Sequence, residues 1–155
     1  MTFSISTEEL PGQPMLSLRR QTSPEQLGQT LAEMLPAVFA YIQQQGQVPA
    51  GQPFTIYHQV SGEELDVEAG LPLAQPLQGE QDIRAGSLFQ GNVATTIHQG
   101  PYDQLHLAHE ALRNWVAAEG KSPAGPLFEI YITDPGTVAD PNLWQTKVCL
   151  PLQTA

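Results

Sequence analysis

Basic residues are scarce in this chain: six Lys and Arg stand against sixteen Asp and Glu in 155 residues, a formal net charge of −10. Phosphate backbones are gripped by clustered Lys and Arg, so direct nucleic-acid binding is excluded as an expectation, and adhesion to anionic membranes with it. Charge of either sign is sparse too, at 14% against a typical quarter. There is one cysteine, Cys149, which rules out an internal disulfide. Its place between Val148 and Leu150 suits a packed thiol in a strand. The longest apolar run, Met34 to Ile42, is far short of the roughly 20 residues a membrane span needs. Met1 to Gly12 carries acids and no apolar core, so it is not a signal peptide. A cytoplasmic, soluble protein is the expectation. No Gly-x-Ser-x-Gly, phosphate-binding glycine loop or Ser-His-Asp order is present, and no cofactor is expected.

What is present is periodic. Met15 to Gln21 reads as a strand, with a second short one around Phe3 to Ser6. Ser23-Pro24-Glu25-Gln26 has the form of a capping box, with Ser23 at N-cap, Pro24 at N1 and Gln26 reaching back. Leu27, Leu31, Met34, Leu35, Val38 and Ile42 follow at helical spacing until Gly46. Pro36 inside that run predicts a kink or two consecutive helices. Phe54 to His58 and Glu64 to Leu71 are strands joined by a hairpin at Val60-Ser61-Gly62-Glu63. After a proline-punctuated crossover, Leu88 to Gln99 is one strand or two. Gly100-Pro101-Tyr102-Asp103 opens a second helix with proline at N1, its apolar face formed by Leu105, Ala108, Leu112, Trp115 and Val116. Strands follow around Phe128 to Thr133 and Trp144 to Leu150.

The two halves match. Pro49-Ala50-Gly51 lies 74 residues before Pro123-Ala124-Gly125, and the same offset pairs Gly46 with Gly120, Phe54 with Phe128, Ile56 with Ile130 and Tyr57 with Tyr131. Two copies of a strand-helix-strand-strand unit are therefore expected, about 15–73 and about 87–152, in a single domain 1–155. The fold class is α+β: two fused βαββ modules related by a pseudo-twofold, with an antiparallel sheet and two helices around a hydrophobic pocket.

Glu129 breaks the match, because Thr55 stands at its counterpart. Glutamate is depleted in strands, and here it lies between Phe128 and Ile130. Either it lies on a wet face, or it is the single charge in an aromatic site lined by Tyr57 and Tyr131. Trp115 is core or lid, Trp144 opens the last strand, and Phe39 and Tyr41 fall off the main helical stripe and could face a groove. His106 and His109 have the i, i+3 spacing of metal ligands but no third partner, so they read as solvated or helix-packing and no metal is expected. His58 and His98 read as strand-end residues or as the edge of a pocket.

His98-Gln99-Gly100-Pro101-Tyr102-Asp103-Gln104-Leu105, Trp115, Phe128-Glu129-Ile130-Tyr131-Ile132-Thr133-Asp134-Pro135 and Trp144-Gln145-Thr146, in this order, resemble the GyrI-like family. These are the effector-binding domains of AraC- and MerR-type multidrug regulators and their stand-alone relatives. The resemblance covers Met15 to Leu152. It implies a pocket for diverse, often cationic, aromatic compounds, with Glu129 as its charge. Some members are described as binding DNA gyrase, and a subset as hydrolysing strained cyclopropanoid compounds. Unlike the regulators, this sequence has no room for a helix-turn-helix domain.

The leading expectation is a stand-alone module for hydrophobic, cationic or aromatic small molecules, with Glu129, Tyr131, Tyr57, Trp115, Trp144, Tyr102 and Phe39 as ligand-binding residues. One alternative is a hydrolase with Glu129 as general base. The other is a module whose acidic surface meets a basic protein partner. Nothing in the sequence fixes an oligomeric state.

Overall fold

Apolar residues that recur every three or four positions bury one side of a helix, and Met34, Val38 and Ile42 do so on α1, Leu27–Gln44. All three are fully buried and pack with Leu16, Leu18, Ala69, Leu71 and Leu73. Each such side chain contributes about 1.5–3 kcal/mol through burial. α1 runs through Pro36, which is exposed, so the proline neither ends nor divides the helix. The helix begins later than its capping box predicts. Ser23 Oγ accepts from the Gln26 amide at 3.2 Å, but no side chain caps α1 and Gln26 is itself the N-cap residue. Residues 24–26 form a turn, so Gln26 stands at the N-cap itself, three positions before the N3 place from which it could reach back.

The computed structural model describes residues 3–134 and 136–153. Besides α1 these form β1 (Ser6–Thr22), β2 (Phe54–Ser61), β3 (Glu64–Pro72), β4 (Arg84–Gln99), α2 (Leu105–Ala118), β5 (Phe128–Tyr131) and β6 (Gln145–Pro151). β1 is one strand where the sequence predicts two, and β4 is likewise continuous. Short 3₁₀ turns lie at Tyr102–Gln104 and Pro141–Leu143. Pro101 precedes the first of these and is not the first residue of α2, which starts at Leu105.

The chain divides into two units, Gly12–Phe89 and Met1–Pro11 with Gln90–Ala155. In the first, β1 pairs antiparallel with β3 from Met15↔Pro72 to Thr22↔Leu65, and β3 pairs with β2 through Phe54↔Gly70 and Tyr57↔Val67. In the second, β4 pairs antiparallel with β6 from Val93↔Pro151 to Gln99↔Gln145, and β6 pairs with β5 through Phe128↔Cys149 and Tyr131↔Thr146. Both units are thus strand, helix, strand, strand, with the third strand in the middle. The fold is mixed α+β, with six strands in antiparallel pairings and two helices.

The 74-residue offset holds in the helices. The buried residues Met34, Val38 and Ile42 of α1 become Ala108, Leu112 and Val116 of α2. Gly46 and Gly120 follow the helices with φ of +77° and +70°, a left-handed conformation that glycine adopts without steric cost.

Cys149 is fully buried on β6, and burial pushes its thiol up to about 11. Only about a thousandth of it would be thiolate at pH 8, and reaction requires the thiolate. A disulfide reagent should therefore leave the native protein unlabelled over minutes at pH 8 and titrate one thiol in denaturant. Rapid labelling of the native state would contradict this packing.

Candidate functional site

The second unit gathers most of its buried polar atoms on one sheet face. Residues paired across antiparallel strands share a face, so Glu129 lies with its partner Val148, and Tyr131 with Thr146 and, one strand further, His98. That face is closed: Glu129 is 1% exposed and Tyr131 9%. On the other face Phe128 is buried, Ile130 partly so, and Ile132 beyond the strand is 38% exposed. A glutamate that keeps a strand face wet is therefore not what the fold contains.

A buried carboxylate needs donors, since leaving it bare costs several kcal/mol. Tyr131 donates its hydroxyl to Glu129 Oε1 at 2.9 Å, and His109 Nε2 lies 2.5 Å from Oε2. His109 comes from α2. Leu105, Ala108, Leu112 and Val116 point into the core there, and His109, one position after Ala108, sits on the flank of that stripe. A solvated or merely helix-packing His109 is thus corrected: it is half-buried and bonded to the strand carboxylate. His106, by contrast, is exposed and bonds the Asp103 carbonyl. Among the described residues no group of three or more His, Cys, Asp or Glu is placed to hold a metal ion.

Aromatic rings adjoin the carboxylate. The Tyr102 ring lies 5.6 Å from that of Tyr131 and 4.9 Å from that of Trp144, tilted 52° and 36°. These spacings belong to favourable aromatic pairs. Two hydrogen bonds fix the turn that carries Tyr102. The Gly100 amide donates to the Trp144 carbonyl at 2.8 Å, and His98 Nε2 donates to the Pro101 carbonyl at 3.1 Å. Trp144 is held in turn by its indole N–H on the Val138 carbonyl at 2.7 Å. Burial, then Glu129, then Asp134 push the Tyr102 phenol above its ordinary range, so it stays neutral beside the carboxylate.

His98 and Thr146 add two further polar atoms. Because a carbonyl only accepts, His98 donates through Nε2, and its second ring nitrogen is Nδ1. That nitrogen and Thr146 Oγ1 are buried with no hydrogen-bond partner among the described residues, on cross-strand neighbours beside Tyr131.

The other residues singled out by sequence are placed as follows. Trp115 is half-buried on α2. Tyr57, in the first unit, is buried on β2, and Phe39 is 41% exposed on α1. His58 lies on the same unit's sheet and bonds Glu68 Oε1 at 2.7 Å, while Ser17 donates to Oε2 at 2.5 Å.

Residues 3–153 match the family described as GyrI-like small molecule binding domain. The chain belongs to that family. Among solved structures, this GyrI-like domain is similar to the C-terminal domain of EcmrR, at TM-score 0.89 and 22% identity over 100% of both chains. It also matches EcmrR in an EcmrR–DNA complex, at TM-score 0.88 and 23% identity, where it covers 99% of its own length but spans only 58% of the EcmrR chain. SAV2435 bound to tetraphenylphosphonium is similar at TM-score 0.60 and 12% identity, over 99% of this chain and 94% of that one. A hydrolase from Listeria innocua is similar at TM-score 0.60 and 15% identity, over 96% and 91%. At these identities the likenesses speak to fold. No curated protein matches the chain significantly.

Proposed function

We propose that this small-molecule-binding domain takes hydrophobic cations, with Glu129 as counter-charge and Tyr102, Tyr131 and Trp144 as aromatic wall. The observation that carries the reading is a 1%-exposed carboxylate bonded to Tyr131, within a run of three adjoining rings. Aromatic faces and one fixed negative charge are what a desolvated cation needs.

The geometry favours one kind of cation. Both Glu129 oxygens already hold a donor, one from Tyr131 and one from His109. A primary amine would have to shed a strongly held hydration shell and crowd in beside both donors to reach the remaining lone pairs of a carboxylate that is 1% exposed. A quaternary or phosphonium cation has no hydrogen to donate and gains from the field alone, which is strong where water is excluded. The ligand seen on SAV2435, a protein of similar fold, is of this class. Trp115, on the same unit, is proposed as a further wall residue.

Tetraphenylphosphonium is the natural first probe. At a hundredfold excess over Kd it should stabilise the protein by about 2.7 kcal/mol. For a chain of this size that raises Tm by roughly 5–10 °C. No shift at any concentration up to millimolar, together with no heat of binding, would contradict the reading.

The His109–Glu129 contact supports a second reading, a hydrolase. An imidazole with one ring nitrogen 2.5 Å from a carboxylate has the arrangement of an acid–base pair, in which the carboxylate orients the ring and the pair could draw a proton from water. In that case Glu129→Gln should abolish turnover of a strained electrophile and leave the affinity of an unreactive analogue largely intact.

A further inference from the structure

The 74-residue repeat assigns His109 a counterpart as well as Glu129. His109 aligns with Leu35 and Glu129 with Thr55, while the core positions around them stay apolar in both copies. Leu35 packs against the first unit's core and Thr55 is fully buried. One strand-helix-strand-strand unit is thus built with neither an imidazole nor a carboxylate at these two places. Both appear together in the other unit, 2.5 Å apart, so the fold itself does not require them.

We propose that His109 is the resident counter-ion of Glu129, and that a hydrophobic cation binds by expelling its proton. The inference rests on the cation-binding reading above. Where the imidazole is protonated, the pair is neutral and the site has no net charge to offer an incoming cation. Where it is neutral, Glu129's charge is uncompensated and its field acts on the guest. Two positive charges about 5 Å apart at an effective dielectric of about 20 disfavour coexistence by roughly a hundredfold. Protein with imidazolium plus cation therefore goes to complex with neutral imidazole plus one proton released to solvent. By linkage, protonation must weaken the cation by the same factor that the cation weakens protonation. His109 thereby sets the choice of guest: neutral aromatics are indifferent to its proton, and cations are not.

The other titratable groups around the pair can be separated from it. β5 contributes Tyr131, donating to the same carboxylate, and the turn before α2 contributes Tyr102, whose phenol is pushed up and stays neutral, and exposed Asp103. On α2 itself His106, Glu110 and Arg113 are exposed, as is Asp134 after β5. β6 presents Thr146, Val148 and Leu150 on this face, none of them titratable, and β4 presents Thr96 and His98, the latter bonded to Pro101. His98 is the only other imidazole on the face among the described residues, so a His109 variant distinguishes the two.

The test is calorimetric titration of tetraphenylphosphonium, which has no titratable group, from pH 5.5 to 8.5 in two buffers of different ionisation heat. Imidazoles titrate within this window. The wild type should release up to one proton per cation at its acid end, with Kd falling up to tenfold per pH unit and levelling at the alkaline end. His109→Gln keeps a donor for Glu129 but no proton to expel. It should bind with a flat pH profile and exceed the wild type at pH 5.5. Should that variant not fold, the proton count of the wild type decides alone. A wild-type Kd independent of pH with no proton released overturns the inference and leaves the cation reading standing, as does a pH profile unchanged in His109→Gln. No binding at any pH removes both.

Discussion

His109→Leu should be among the most destabilising single changes in the domain, costing about 3–5 kcal/mol at neutral pH. The variant takes the imidazole from a carboxylate that is 1% exposed and leaves it the Tyr131 hydroxyl, and breaking a buried pair from one side carries a penalty of that size. For a chain of this length it means a fall in Tm on the order of 10 °C or more. Adding Glu129→Thr should restore stability to within about 1–2 kcal/mol of the wild type. The double variant recreates the Leu35 and Thr55 arrangement of the other unit, and exchanging a buried ion pair for apolar neighbours is often neutral or better. A double-mutant cycle by urea unfolding reads this directly. Additive losses would show that the two side chains act separately.

The repeat made much of the fold legible. Gly46 and Gly120, the Phe and Tyr of β2 and β5, and the buried residues of the two helices all keep one offset. Local signals did less well where tertiary pairing overrode them. Two short strands, around Phe3 to Ser6 and over Met15 to Gln21, are expected, yet β1 runs unbroken from Ser6 to Thr22. Ser23 makes only half of its capping box, because residues 24–26 form a turn and α1 starts at Leu27.

The site was legible in part. Glu129 stood out as a carboxylate without a repeat partner, and its sharing of a face with Tyr131 follows from strand alternation. His109 was missed for two reasons. Its spacing from His106 drew attention to metals, and helical periodicity marks the stripe's centre more clearly than its flank. The offset held the signal, since Leu35 becomes His109 just as Thr55 becomes Glu129. The approach of Tyr102 to Trp144 depends on the Gly100–Trp144 backbone bond, a long-range closure with no local pattern.

The second large effect concerns the charge. Glu129→Gln keeps the shape of the site and an acceptor for Tyr131, and removes one unit of negative charge. A charge-assisted contact contributes roughly 1.5–3 kcal/mol, so a phosphonium cation should bind about tenfold to 150-fold more weakly. The effect should be largest at pH 8, where imidazoles are mostly neutral. A neutral aromatic meets the same walls of Tyr102, Tyr131 and Trp144 in both proteins and should be nearly unaffected. Truncating Trp144 to Ala should weaken both guests alike.

The measurement closest to the central claim is the Kd of tetraphenylphosphonium for the wild type and for Glu129→Gln, taken side by side at pH 8 with triphenylphosphine oxide as the neutral control. A loss of tenfold or more for the cation, with less than a threefold change for the oxide, is the predicted result. Equal cation affinity in the two proteins, or equal losses for both guests, would contradict Glu129 as the counter-charge of the site.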